Sequence, residues 1–377
     1  MSSSQELYNR LIKTVQPLVT VSHIKQMVNW MWITVGILQA NSVALSKIAT
    51  HIPGEAKAES RVTMIRRWLM NFKVDVWRCY RPILAHVLSG WRAANAVVVL
   101  DGVMVFGDRL QIFRLSLAHG CRAVPLNWVV IPGKGVTQVE RLEAMLSRVA
   151  EFLAPKVKQV TFLADRGFRD CDWAQLCLKL QWNYVIRVAR NTYVTLPDGR
   201  HCRIDQLALK HGRRRYFQNV WLTQKAKLCA HLTLTWTKGD ERHAPELLAL
   251  ISNQRACRKR LHQYSQRMCI EQSFRDDKSG GFDLAHTRLQ HAQRLERILL
   301  AVAIATLWCH ELGEHVLSDD PFLRRAVDPG YQRQLSLFQL GLRWLKRCVS
   351  TAIHRLPHFT ARLYPLKLKP VAKSALP

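Results

Sequence analysis

The run Val97-Val98-Val99-Leu100 constrains the fold more than any other stretch of the sequence. Consecutive apolar residues, most of them β-branched, favour a buried strand over a helix. The run stops at Asp101-Gly102, a turn-forming pair. Upstream of about residue 92, apolar residues recur at helical spacing and strand-like alternation is scarce. Downstream of Ala96 the rhythm is different. Leu110 to Ala118 and Ala123 to Ile131 read as two further strands, joined by the turn His119-Gly120-Cys121 and closed by Pro132-Gly133. Val139 to Leu153 has the spacing of an amphipathic helix. Val160 to Ala164 reads as a fourth strand, ending in Asp165-Arg166-Gly167. Trp173 to Leu180 is helical, and Tyr184 to Val188 a fifth strand.

Three strands, a helix, a strand, a helix and a strand make an α/β order. It is the order of a ribonuclease-H-like core, although other α/β folds begin similarly. The polar stretch 190–246, with the turn Pro197-Asp198-Gly199 and alternation from His231 to Trp236, reads as a β-rich insertion. Leu247 to Ile251 returns the chain to the core as a strand, and helices follow from Leu261 to Val316. The expected division is therefore a helical N-terminal domain over 1–92, a first core part over 93–189 and the insertion over 190–246. A second core part with the Glu271 helix comes next over 247–316, then a basic helical C-terminal region over 317–377.

Charge points to the partner. Lys and Arg number 56 against 27 Asp and Glu, a formal +29. Such an excess repels itself in a folded chain and suggests a polyanion whose counterions are released on binding. The basic residues are spread through Arg66-Arg67, Arg213-Arg214-Arg215, Arg258-Lys259-Arg260 and Lys346-Arg347, which suits several domains touching one long polyanion. Nucleic acid is the first expectation and an anionic membrane the second. The most apolar run, Ile298 to Trp308, is far short of the roughly 20 residues that span a bilayer, so it reads as a buried helix and no membrane partner is expected. Ten scattered cysteines without a CxxC pair suit a reducing compartment, and Met1 to Glu6 lacks a signal-peptide pattern, so a cytoplasmic, nucleoid-associated location is expected.

Near the N-terminus, Asn41-Ser42 is placed to cap a helix holding Leu45, Ile48 and Ala49, and Pro53-Gly54 breaks it. Ser60 is placed to cap a second helix carrying Val62, Ile65, Leu69 and the pair Arg66-Arg67. Helix, short break, basic helix is the outline of a helix-turn-helix DNA reader, with Arg66 and Arg67 as its contacts. Two ordinary packed helices share that outline.

Asp101 and Asp165 each end an apolar strand. Alone, each is ordinary turn chemistry. Together in one α/β core they suggest a site, because a sheet holds side chains rigidly at its rim. A third element is the stretch Tyr264 to Lys278. At about 100° per residue, Arg267 lies near 300°, Glu271 near 340° and Lys278 near 320° from Tyr264, an arc of about 60°. Asp276 and Asp277 fall outside it, and Gly280-Gly281 ends the helix. One acid between two bases and a tyrosine fits a metal ligand flanked by phosphate grips. A solvated face with an Arg267–Glu271 pair fits equally well.

Tyr264, Arg267, Glu271 and Lys278 carry the spacing of the YREK signature, and the sequence here resembles bacterial DDE transposases of the insertion sequence four family. Leu100-Asp101-Gly102-Val103 is similar to the segment around that family's first catalytic carboxylate, and Leu163-Ala164-Asp165-Arg166-Gly167-Phe168 to that around its second. Glu271 matches the third. The resemblance runs from about Asn41 to Leu312, with the terminal regions matching only in general character. It implies two Mg²⁺ ions, with Mn²⁺ as a substitute, held by Asp101, Asp165 and Glu271. The expected arrangement has Asp101 bridging both ions and the other two acids taking one each. Hydrolysis frees a 3′-hydroxyl at the element's end, which then attacks target DNA without a protein–DNA covalent intermediate.

The resemblance also implies phosphate contacts by Tyr264, Arg267 and Lys278, double-stranded DNA ends and target as partners, and a homodimer in the synaptic complex. Arg166 and Arg169 are further phosphate candidates. Trp221 and Trp236 are candidates for stacking a flipped base, with core packing the commoner fate of such residues. The alternatives are a ribonuclease-H-like nuclease without strand transfer and a catalytically inert DNA-binding regulator.

Overall fold

The N-terminal helical spacing resolves into α1 (Ser3–Val15), α2 (Ile24–Ala40), α3 (Leu45–Ala49), α4 (Ala58–Met70) and α5 (Val76–Val87) in a computed structural model. The structure describes residues 2–91, 93–119, 122–133, 138–207, 210, 212–222, 228–237, 239, 244–318 and 321–362. Ser2 caps α1 and Asp75 caps α5 through their side-chain oxygens. Two expected caps differ. Helix α4 begins at Ala58, so Ser60 lies inside its first turn and Lys57 holds the cap position without a side-chain bond. Ser42 Oγ accepts from Ala44 N at 3.2 Å, but α3 starts beyond it, with Ala44 at the cap. The short hydroxyl satisfies a turn instead of a helix end.

The apolar runs form β1 (Asn95–Val105), β2 (Leu110–His119), β3 (Arg122–Pro132), β4 (Gln159–Ala164) and β5 (Asn183–Val188). β1, β2 and β3 make an antiparallel meander. β4 lies parallel to β1, and β5 parallel to β4. Parallel neighbours need long crossovers. These contain α6 (Glu140–Leu153) and α7 (Cys171–Lys179). The order β3-β2-β1-β4-β5 fits the ribonuclease-H-like core expected from the sequence.

The polar stretch after β5 holds β6 (Tyr193–Thr195), β7 (His201–Arg203), β8 (Arg214–Leu222) and β9 (Leu228–Trp236), followed by β10 (Leu247–Ser252). These strands continue the same sheet. β10 pairs with β5, β9 with β10, β8 with β9, β6 with β8 and β7 with β6, giving one mixed sheet of ten strands.

Helices α8 (Arg258–Ser265) and α9 (Met268–Arg275) cover one face of the sheet. Tyr264, Ile270 and Phe274 pack there on Val99, Leu163, Val185, Leu248 and Leu250. Period-two alternation sends Val98, Leu100, Phe162 and Tyr184 to the opposite face, into a core shared with α6 and α7.

Helix α10 (Ala292–Leu317) runs through the middle and touches α2, α4, α5 and β3 as well as α11 (Pro321–Val327) and α12 (Leu337–Thr351). Its Ile298 to Trp308 segment is buried throughout. No helix among the described residues is long and apolar enough to cross a membrane. Where α10 crosses α12 the backbones touch: a Cβ on Gly341 would stand 1.8 Å from Cys309 O, and one on Gly313 2.0 Å from Leu337 O. The two ends of the described chain are stitched together. Ser3 Oγ donates to Val349 O, Arg10 Nη1 to Leu356 O at 2.6 Å, and Thr14 Oγ1 to Phe359 O. Of the basic C-terminal region, 363–377 lie outside the described residues.

Candidate active site

Sheet register brings the two strand-end aspartates together. Leu100 pairs with Ala164 in the parallel β1–β4 ladder, so Asp101 and Asp165 occupy equivalent positions one residue further on. Adjacent strands run about 4.8 Å apart, which puts the two carboxylates side by side. Alternation places both on the face of Val99 and Leu163, beneath α8 and α9. Each takes a backbone N–H: Asp101 Oδ1 accepts from Gly102 N at 2.8 Å, and Asp165 Oδ1 from Gly167 N at 2.8 Å.

Arg267 carries the third acid into the group. Its guanidinium donates to Asp101 Oδ2 at 3.1 Å through Nη1 and to Glu271 Oε1 through Nη2. Asp101 is 14% exposed at its side chain and Glu271 38%, so Glu271 is the solvent-facing member. Burial holds the Asp101 carboxyl above its usual range; the Arg267 charge pulls it down and Asp165 pushes it up. Tyr264 is buried beside them. Burial raises its hydroxyl, with Arg267 and Arg187 lowering it and Asp165 raising it, so the tyrosine feels the same charges.

The expected single helix from Tyr264 to Lys278 is not continuous. It breaks at Gln266-Arg267 between α8 and α9, and Asp276–Gly280 forms a π-helical turn. The physical reason is the sheet below: the break turns Arg267 inward to the acids, and one extra residue per turn redirects the chain downstream of it. Lys278 therefore sits half-buried in the π turn and makes no ion pair with the three acids among the described residues.

A second layer went unrecognised in the sequence. Arg114 stands opposite Asp101 in the β1–β2 register. It is buried, donates to Asp277 Oδ2 at 2.5 Å and to Ser273 Oγ at 2.9 Å, and its guanidinium carbon lies 4.3 Å from the centroid of the Phe274 ring. One arginine thus ties β2, the neighbour of Asp101's strand, to the helix of Glu271 and the π turn after it. Its signal was a charged residue in the middle of an apolar strand.

Three of the remaining candidates line two basic cavities. Arg166 and Arg169 line one of about 810 Å³ at the carboxyl ends of β4 and β5. Arg66 lines another of about 880 Å³ between α3, α4 and the segment 283–294, together with Lys47, Arg288 and Arg294. Arg67 is exposed on α4 and lines neither cavity. Trp221 is 48% exposed on β8, whereas Trp236 packs against the core.

The donors are hard carboxylate oxygens, which suit a divalent cation of the Mg²⁺ kind. Among the described residues no three His, Cys, Asp or Glu side chains are close enough together to hold one metal ion. The Arg267 guanidinium stands between Asp101 and Glu271 as the cation that the acids require. The donor set thus fits a cationic group at that position.

Residues 123–308 match the family model described as a transposase DDE domain. Asp165, Arg267 and Glu271 lie within the matched stretch and Asp101 upstream of it. The match supports a DNA transposase, an enzyme that cleaves and transfers DNA strands, of a class that works with divalent metal ions. No curated protein matches the sequence. Among solved structures, the cryo-EM structure of the piggyBac transposase synaptic complex with hairpin DNA is similar at a TM-score of 0.43 and 9% identity, over 93% of this chain and 78% of that one.

Proposed function

From a transposase DDE domain as premise, we propose that this chain is an insertion-sequence transposase of the insertion sequence four type, which cuts the element's ends and joins the freed 3′-hydroxyl to target DNA. The observation that carries the reading is the register that sets Asp101 and Asp165 side by side at the carboxyl ends of adjacent parallel strands, with the Arg267 guanidinium joining Asp101 to Glu271. The three acids are the proposed ligands of two Mg²⁺ ions, which when bound supply an activated attacking oxygen and charge for the leaving one. Mn²⁺ is the expected substitute.

The chain's own residues do the rest. Asp101 and Asp165 are fixed by the ladder and by their backbone N–H bonds, so they need no reorganisation before reaction. Glu271, more exposed, is the acid free to adjust. Arg267 is paired with Asp101 and Glu271; were cations held there, its guanidinium would be free for a phosphate, a strong bidentate partner. Tyr264 buttresses that arginine, and Lys278 is the proposed grip on a neighbouring phosphate. Arg66 and Arg67 are the proposed contacts of the N-terminal helices with the element's ends. Two protomers in a synaptic complex complete the proposal.

The test is a cleavage and strand-transfer assay with DNA carrying the element's own ends and Mg²⁺, comparing native protein with Glu271→Ala. Metal-dependent nicks and joined product are expected from the native protein. Both fall by at least about 10³-fold in the variant while end binding persists. Cleavage without joining would favour the nuclease, and undiminished product from the variant would remove Glu271 from the site.

A further inference from the structure

The cavity beside Asp165 is unusual in its charge. Arg166, Arg169, Arg190 and Arg203 line it, with Glu246 as the one acid in its wall. Neither Arg169 nor Arg190 makes a salt bridge among the described residues, and both are exposed. Glu246 takes Arg166 at 3.0 Å through Oε1 and Arg187 at 2.6 Å through Oε2. Burial pushes the Glu246 carboxyl up, and Arg187, Arg166 and Arg190 more than offset it, so it stays ionised. Arg203 is paired with Asp205 at 2.5 Å, which leaves Arg166, Arg169, Arg187 and Arg190 gathered about Glu246, a cost in energy unless an anion joins them.

Topology says what that anion meets. β4 ends at Ala164 and β5 at Val188, so Asp165-Arg166 and Ala189-Arg190 emerge side by side at the same rim of the sheet. Arg203 reaches the cavity from β7, which pairs with Tyr193 of β6. Tyr193 is 50% exposed and stacked on His201. A concave, arginine-lined wall contiguous with a catalytic carboxylate suits a phosphodiester backbone.

We infer that this cavity is a second DNA-backbone site, which takes the phosphates running past Asp165 on the β5 side, and that Glu246 holds its arginines in their place until DNA displaces it. The inference rests on the DNA reading above. It enlarges the footprint beyond the α8–α9 face and assigns Arg169, Arg190 and Arg203 to substrate.

Salt-dependent binding tests it. A fluorescent duplex of arbitrary sequence is titrated in EDTA over a series of KCl concentrations with native protein, Arg190→Ala/Arg203→Ala, Glu246→Gln and Lys158→Ala. Lys158 is exposed and precedes β4, so its substitution removes one positive charge at the far end of that strand. The double variant is expected to lower the slope of log K against log salt by about 1.8, about 0.9 for each phosphate lost. Glu246→Gln tightens binding at fixed salt, and Lys158→Ala leaves the slope at the native value. A double variant with the slope of Lys158→Ala overturns the site. Cleavage of the element's ends is assayed on the same preparations: activity with an unchanged slope defeats only this inference, whereas native protein that neither binds nor cuts DNA defeats the function as well.

Discussion

Glu311, on α10, accepts from Thr360 N at 2.8 Å and Ala361 N at 3.0 Å, and burial pushes its carboxyl up to about 7. Asp276 is pushed to about 7 by burial and by the Asp277 charge. In unfolded chain such groups titrate near pH 4. Between roughly pH 4 and 7 the folded protein therefore binds more protons than the unfolded one, and these acids make stability fall as pH rises. His310, held well below its usual range by burial, acts in the opposite sense at acid pH, so a variant difference isolates the acid. Relative to native protein, Glu311→Gln is expected to gain on the order of 2 kcal/mol between about pH 5 and about pH 8, read by urea unfolding. At this scale the sequence displayed Asp101, Asp165, Arg267 and Glu271, because strand ends and a spaced signature are linear features. Arg114, Arg187 and Glu246 were hidden. Each matters through a partner 59 to 163 residues away that only the folded chain supplies.

Helix α12 is held to α10 by the absence of side chains at two positions. Gly341→Ala would drive a methyl group into Cys309 O, a backbone atom that cannot step aside. A loss of about 3 kcal/mol or more is expected, visible as a lowered Tm, with Gly90→Ala at an open position as the contrast. The elements themselves were largely legible: β1 to β5, α6, α7 and the buried α10 all follow from periodicity. The break at Gln266-Arg267 and the π turn were not, since a constant 100° step presupposes a regular helix. That β6 to β9 join the main sheet was equally invisible, because alternation identifies a strand but not its neighbour.

The molecule as a whole carries +29 on a frame in which α10 joins the N-terminal helices to the sheet and to α12. Its charge and the α/β class were readable from composition and order; the closure of its ends was not. Arg10 is buried and its Nη1 has Leu356 O as partner, while Thr14 leans on Phe359 O. Deleting 352–377 is expected to leave α1 without those acceptors and open it to limited proteolysis, whereas the full chain resists at the same sites. The same stitching sets a timetable. Residues 3–14 leave the ribosome more than 330 residues ahead of their partners at 349–359, a lag on the order of tens of seconds at common elongation rates. Helix α1 must wait, incompletely packed, until those partners have emerged, and a nascent chain of this protein has no finished helical layer there to act with before then.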